Sequence, residues 1–377
     1  MKLMIGGDLF LPDKFKADSI EIDPSLINLF KKADLSILNL ESVICAVDKK
    51  IEKTGPHILG GTDTPALLRR MCINVVTLAN NHILDYGHNS LLKTIQCLKV
   101  MGFETVGAGI DIFDAKSPYI KVTCTRSIAI INMAENEWAS ATCKSPGANP
   151  YDVIDCHRVI KAMRDAYKNV IVIIHGGHEY YKYPSPRMQK EFRFFVDSGA
   201  SAVLCHHSHI YSGMEVYNNS PIFYGLGNFY FPLNGRPDFW RTGLVIELDI
   251  SENQQISFKT HFISSNSSFS SIKLLSGFEH ELEFQNFTKL NKCINDKDEL
   301  NSQFNLMAQK VSESYLYSLH PLNRKFFKFL FIALRKLKLI NAKPSNYIAA
   351  NILNRIRCES HSDVFTKVLK NCLTGQK

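Results

Sequence analysis

The chain has 377 residues, 45% of them apolar, and a formal net charge of +8. That length holds one large domain with an appendage, and the apolar fraction is ample for a packed core. No run of 18 apolar residues occurs, so a membrane-spanning helix is not expected.

In chain order, Lys2–Ile5 reads as a strand, 25–32 as a helix and Leu35–Leu38 as a strand. Thr64-Pro65 opens a short helix to Met71, with Thr and Pro at cap and first-turn positions. Strand 75–78 precedes helix 90–101, which Gly102 ends. Strands are expected at 103–106 and 128–131, then a helix at 155–167 and a strand at 170–174. A helix at 186–197 leads to a strand at 202–205, and strands at 222–224, 243–250 and 256–262 follow. Short β-branched runs separated by helices predict strands buried on both faces, hence an α/β layered domain. The later strands lack intervening helices, which points to a second, more antiparallel sheet. Residues 264–275 contain SSNSSFSS and read as a linker. The expected domains are therefore 1–270, catalytic, and 271–377, a helical and basic extension. The N-terminus enters a strand at once and shows no small-residue cleavage site, so a signal peptide is not expected. Ten cysteines without a CxxC pair fit buried thiols in a reducing cytoplasm.

Polar, metal-capable residues recur directly after strand ends. Asp8 follows the first strand, Asn39 and Glu41 follow LSIL, and Asn80, Asn81 and His82 follow VVTLA. His175 follows VIVII, and His206, His207 and His209 follow AVLC. In open α/β sheets ligands bind at the carboxyl ends of strands, so these five ends should converge on one rim. Folding alone asks for no histidine there. Carboxylate, amide and imidazole together suit Mn²⁺, Fe or Zn²⁺, and the lack of thiolates argues against a structural zinc site. A carboxylate able to bridge two cations, flanked by His and Asn, is what a binuclear hydrolase needs.

The segments GGD (6–8), NLES (39–42), NNHILDYG (80–87), ENEW (135–138), HGGHEYY (175–181), HHSH (206–209) and GLGNF (225–229) resemble the CapA family. These are bacterial capsule and poly-γ-glutamate synthesis proteins, distant relatives of calcineurin-like phosphoesterases. The resemblance covers roughly residues 1–250. It implies a four-layer α/β/β/α metallophosphatase-like sandwich, here with a C-terminal helical extension, and two divalent metal ions. By the same resemblance, Asp8 and His209 serve the first metal, Glu41 bridges, and Asn81, His175 and His207 serve the second. His82 would be the acid that protonates the leaving group. Asp85 could orient that imidazole and raise its pKa, or be a turn residue before Tyr86-Gly87. Asn39, Asn80, Glu179 and Asn228 are candidates to fix a ligand or substrate. Arg187 could bind a phosphate oxygen, or be a solvated first-turn residue of a helix.

Two departures matter. The first motif of calcineurin-like enzymes is Asp-x-His, and Phe10 stands at its second position here, so weaker occupancy is expected at the first metal than at the second. Gly176 stands where many family members carry Trp, which would open the rim to a larger substrate.

Residues 273–377 carry 17 Lys/Arg against nine acids, whereas residues 1–272 carry 27 of each. The basic character thus belongs to the tail, and a nuclease reading of the front is weakened. Residues 321–340 hold six Lys/Arg and no acid, and read as a basic amphipathic helix. Such a helix either docks on the domain or meets an anionic membrane surface. The expectation is a cytoplasmic hydrolase acting on a phosphorylated or polymeric envelope precursor and not on nucleic acid, with attachment to the inner membrane through 321–340 as the sharper of those two readings of the helix. The alternative is a non-catalytic assembly factor for a polymer synthase.

Overall fold

The computed structural model describes residues 1–317 and 346–374. From the N-terminus the elements are β1 (Lys2–Leu9), β2 (Glu21–Ile22), α1 (Pro24–Lys31), β3 (Leu35–Leu40), α2 (Thr64–Arg70), β4 (Val75–Thr77), α3 (Gly87–Val100), β5 (Glu104–Val106), β6 (Ala108–Gly109), α4 (Ile112–Ala115), β7 (Tyr119–Val122) and β8 (Ser127–Ala134). They continue with β9 (Gly147–Ala148), α5 (Val153–Ala166), β10 (Asn169–His175), α6 (Pro186–Asp197), β11 (Ala202–His206), β12 (Met214–Tyr217), β13 (Ser220–Phe223), β14 (Asn228–Tyr230), β15 (Thr242–Ile250), β16 (Ile256–Ser265), β17 (Ser271–Leu274), α7 (Gly277–Asn295) and α8 (Lys297–Tyr317). Helices Asn346–Arg357 and Glu359–Thr374 follow. The basic stretch 321–340 lies outside the described residues. Among those described, no helix is long and apolar enough to cross a membrane.

Two sheets stack face to face. The first runs β2-β17-β16-β15-β1-β3-β4-β5, with β14 also on β1; the second runs β12-β13-β11-β10-β8-β7. Period-2 alternation explains the layers. Leu3 and Ile5 of β1 and Ile37 of β3 meet Ile130, Ile173 and Leu204 of the second sheet in the central core. Met4, Leu38 and Val76 point the other way, onto Phe30, Leu67 and Leu98 of α1, α2 and α3. On the far side Ile131, Val172 and Val203 meet Ile160, Phe192 and Phe195 of α5 and α6. The result is the four-layer α/β/β/α arrangement. Local chemistry supports the helices: Asp23, Asp152 and Ser185 accept backbone N–H groups as N-caps, and Pro24 and Pro186 open their helices.

The linker expected at 264–275 needs correction. The serine-rich segment is not a linker, because β16 extends to Ser265 and 271–274 form β17, paired to β16 and β2. The helical extension is also part of the packed body. Phe287 lies in the central core and Ile294 in the core under α6. Asp363 of the last helix holds Ser185 and Arg187.

β1, β3 and β4 run parallel in one sheet, as do β8, β10 and β11 in the other. Their carboxyl ends therefore form one rim across both sheets. Gly7 permits this geometry: a Cβ there would lie 1.8 Å from the Gly227 carbonyl oxygen. That close approach lets β14 lie against β1 beside Asp8, whose N–H reaches Gly227 O at 3.1 Å. A register shift in β1 between Ile5 and Asp8 accompanies it.

Candidate metal centre

The ladder sets the first neighbours. Asp8 pairs with Asn39 on one side and Asn228 on the other. Across the rim, β10 and β11 place His175 beside His206. Two groups form around one carboxylate. In Glu41, His175 and His207, and again in Asp8, Glu41 and His209, the candidate ligand atoms lie within 4.8 Å of one another. All five residues are buried.

Three features make this cluster compatible with a cation site. Glu41 is fully buried, yet neither carboxylate oxygen has a hydrogen-bond partner among the described residues. Native proteins satisfy such atoms almost without exception, so an orphaned pair needs a reason. His175 Nε2 faces His207 Nδ1 at 3.0 Å, Asn81 Oδ1 at 3.1 Å and Glu41 Oε1 at 3.5 Å. One ring nitrogen makes one hydrogen bond, so that many lone-pair donors converging on it follow the logic of ligation. Finally, His207 and His209 hold φ values of 85° and 57°. Left-handed backbone is costly for non-glycine residues and concentrates at functional sites.

Electrostatics agree. Burial, then repulsion from Asp8, holds the Glu41 carboxyl well above its usual range. Burial, then His207, pushes His175 well below the usual imidazole value. His209 is lowered too, first by burial. Neutral imidazoles offer their lone pairs, and a buried carboxylate destabilised in this way is the group that a nearby cation would stabilise most. The donor set of oxygen and nitrogen, without thiolate, fits Mn²⁺, Fe or Zn²⁺.

The supporting residues also converge. Asn228 Nδ2 donates to the His209 and Trp240 carbonyls, which leaves its Oδ1 as an acceptor 3.0 Å from His209 Nδ1. That arrangement keeps the proton on Nδ1 and the Nε2 lone pair towards Glu41, 3.8 Å away. Asn39 Nδ2 donates to Asp8 at 2.7 Å and lies 3.3 Å from His175 Nδ1. Asn80 donates to the Leu40 carbonyl and accepts from His82 N–H, which shapes the turn carrying Asn81 and His82. Phe10 packs on Phe231 with ring centroids 5.0 Å apart, and Phe231 and Trp240 both contact the His209 ring. Aromatic rings therefore wall the His209 side of the Asp8 group.

His82 Nδ1 lies 2.7 Å from Asp85 Oδ2, and its Nε2 faces Glu41 at 3.9 Å. Asp85 is thus an orienting residue, not only a turn former; it also accepts from Ile58 N–H at 2.8 Å. The expected rise in the His82 pKa is corrected. Burial lowers it, Asp85 raises it, Lys53 lowers it, and the net direction is down. With Nδ1 turned to Asp85, the His82 ring directs Nε2 into the space beside Glu41.

Lys53 is the residue that sequence reasoning missed. Its side chain is 2% exposed, it pairs with Asp85, and its Nζ lies 3.2 Å from His82 Nδ1. Nothing in KKIEKTGP distinguishes it from a solvated lysine. Glu137 was missed as well; its Oε1 lies 3.9 Å from His207 Nε2.

Two other expectations change. Arg187 is neither solvated nor open to a phosphate: Glu135, Glu191 and Asp363 occupy its guanidinium at 2.9, 2.5 and 2.8 Å. Gly176 does not open the rim, because a Cβ there would meet Glu135 Cγ at 2.6 Å. The missing side chain makes room for Glu135. Glu179 is exposed and lines the cleft above the site with Asn81 and His82.

Residues 2–233 match the family model described as bacterial capsule synthesis protein PGA_cap. The capsule biosynthesis protein CapA of Bacillus anthracis is 31% identical over 211 residues, covering 53% of this chain and 51% of the relative. The PGA biosynthesis protein CapA of Bacillus subtilis is 30% identical over 213 residues, 54% of each chain. A probable polyglutamine synthesis accessory protein of Mycobacterium tuberculosis is 29% identical over 210 residues, covering 52% of this chain and 55% of the relative. The chain thus spans about half the length of the curated relatives it matches. Among solved structures, a 5'-nucleotidase precursor from Thermus thermophilus aligns with a TM-score of 0.45 and 11% identity, over 77% of this chain and 58% of that one. That likeness is too distant to bear on activity.

Proposed function

The chain belongs to the bacterial capsule synthesis protein family, and from that premise and the geometry of the rim we propose that it is a metal-dependent phosphoester hydrolase serving capsule, poly-γ-glutamate or other envelope-polymer synthesis. The observation that carries the reading is Glu41: a buried, unpartnered carboxylate shared by two ligand groups. Asp8 and His209 would hold one cation, and His175, His207 and Asn81 the other. When bound, such cations supply Lewis-acid polarisation of a phosphoryl oxygen. The chain's own residues do the rest. His82, oriented by Asp85 and Lys53, presents Nε2 to the same space and is placed to pass a proton to the leaving group there. Burial of the surrounding groups keeps the local dielectric low and strengthens each of these interactions.

The alternative is a metal-binding assembly factor without turnover. It draws on the word accessory in the description of the Mycobacterium tuberculosis relative. Assays of phosphomonoesters and phosphodiesters with added Mn²⁺ separate the two. We expect turnover that requires metal and disappears in Asp8→Ala and His175→Ala. Bound metal without turnover on any phosphoester would favour the assembly role.

A further inference from the structure

The cleft leading to the rim is not built by the capsule-family segment alone. Its floor is Asn81, His82 and Glu179, and one side is the loop from Lys53 to Pro56. The opposite side is Tyr315, Asn351, Asn354, Arg355 and His361, all beyond the matched residues 2–233. The cleft volume is about 280 Å³. Sites for small molecules run from roughly 300 to 1,000 Å³, so this one lies just below that range.

That far side is braced. The Tyr315 hydroxyl meets His361 Nδ1 at 2.8 Å. Arg355 donates to the Tyr315 and Ser314 carbonyls and stacks on the Tyr315 ring at 4.7 Å. These contacts join α8 to both of the last two helices. The last helix is in turn latched to the rim. Ser360 N–H and Oγ donate to the Glu135 carboxylate, and the Asn136 side chain and N–H donate to Glu359. Arg187 joins Glu135 to Asp363. The N–H groups of a helix's first turn are well suited to hold a carboxylate. Glu135 is itself at the carboxyl end of β8, and Cys358 beside it is 2% exposed. The latch therefore fixes the wall to the strand end next to His175.

We propose that the C-terminal helices are the size-selecting wall of the site. They admit a small phosphoester or the phosphorylated end of a chain, and exclude a phosphate borne in the middle of a polymer. A mid-chain phosphate brings two flanking segments, and a cleft of about 280 Å³ leaves less space for two than for one. The inference rests on the metal-site reading above and adds the substrate class to it.

The test uses the full chain carrying His82→Asn to suppress turnover, loaded with Mn²⁺, and calorimetric titration with three probes: inorganic phosphate, phosphoserine, and a peptide of about 15 residues with phosphoserine at its centre. The first two should bind at least about thirtyfold more tightly than the peptide. In a Ser360→Ala/Asp363→Ala variant, Cys358 should become open to alkylation, read by peptide mass spectrometry. The preference for the small probes should then shrink at least about tenfold. Tyr315→Ala, which trims the wall and leaves the latch, should shrink it in the same direction. Failure to take up Mn²⁺ would overturn the metal-site reading. Mn²⁺ uptake with equal affinities, with no binding of any probe, or with a preference unchanged in both variants would overturn the size wall and leave the metal site standing.

Discussion

Replacing Glu41 with glutamine should abolish metal-dependent turnover and at the same time make the metal-free protein more stable. The two effects have one cause. Glu41 is fully buried, its oxygens have no hydrogen-bond partner among the described residues, and two ligand groups share it. Without its charge both groups would lose the one carboxylate they share. Loss of several kcal/mol of transition-state stabilisation corresponds to a fall of roughly 10³-fold or more in kcat/KM. In the metal-free fold the charge is only a cost. Burial first, and Asp8 next, raise its pKa above the unfolded value. A raised carboxyl favours the folded state at low pH, and that contribution is lost as pH rises through the folded value. Glutamine does not titrate, so the advantage of the variant should grow with pH. Replacing a buried carboxyl whose oxygens have no hydrogen-bond partner should be worth about 1–3 kcal/mol. Denaturant titration in chelator, at about pH 5 and again at about pH 8, reads this directly. A residue present only for folding would show the opposite sign.

His82→Asn should leave metal content intact and lower kcat by roughly 10²- to 10⁴-fold, the usual contribution of a positioned proton-transfer group. The asparagine keeps a polar side chain next to Asp85 and Lys53 but cannot carry the proton. Asp85→Asn should do nearly as much damage. It removes the carboxylate 2.7 Å from His82 Nδ1 while leaving the Lys53 cation 3.2 Å from the same nitrogen. The ring would then meet a positive neighbour without its counter-ion. Comparing kcat with bound metal in both variants separates this role from ligation: a loss of metal matching the loss of rate would assign His82 to the metal centre instead.

Much of the rim is legible in the amino-acid sequence. Asp8, Glu41, Asn81, His175, His207 and His209 each interrupt an apolar run at its carboxyl end, and parallel strands bring such ends together. Helix α6 is legible to its boundaries, because Ser185 and Pro186 mark its start and Gly199 follows its end. What stays hidden depends on contacts between distant residues. β14 is three residues long and exists because Gly7 lets it approach β1. β17 lies in a serine-rich stretch that propensity assigns to a loop, and pairing with β2 and β16 overrides that preference. Lys53 sits among other lysines, and only its burial against Asp85 distinguishes it. The reading of Gly176 as an opening fails because Glu135 fills the space, and Glu135 is held there by a helix more than 200 residues away in the chain.

The measurement closest to the central claim is the metal content and metal geometry of the purified protein, from elemental analysis and anomalous scattering on crystals grown with Mn²⁺. Cations are expected at the two groups that share Glu41, with the Asp8 group less fully occupied because Phe10 stands where a further ligand would be. Glu41→Gln should take up little or no metal. A protein that binds no divalent cation after supplementation, or binds it away from Glu41, would contradict this assignment of the site.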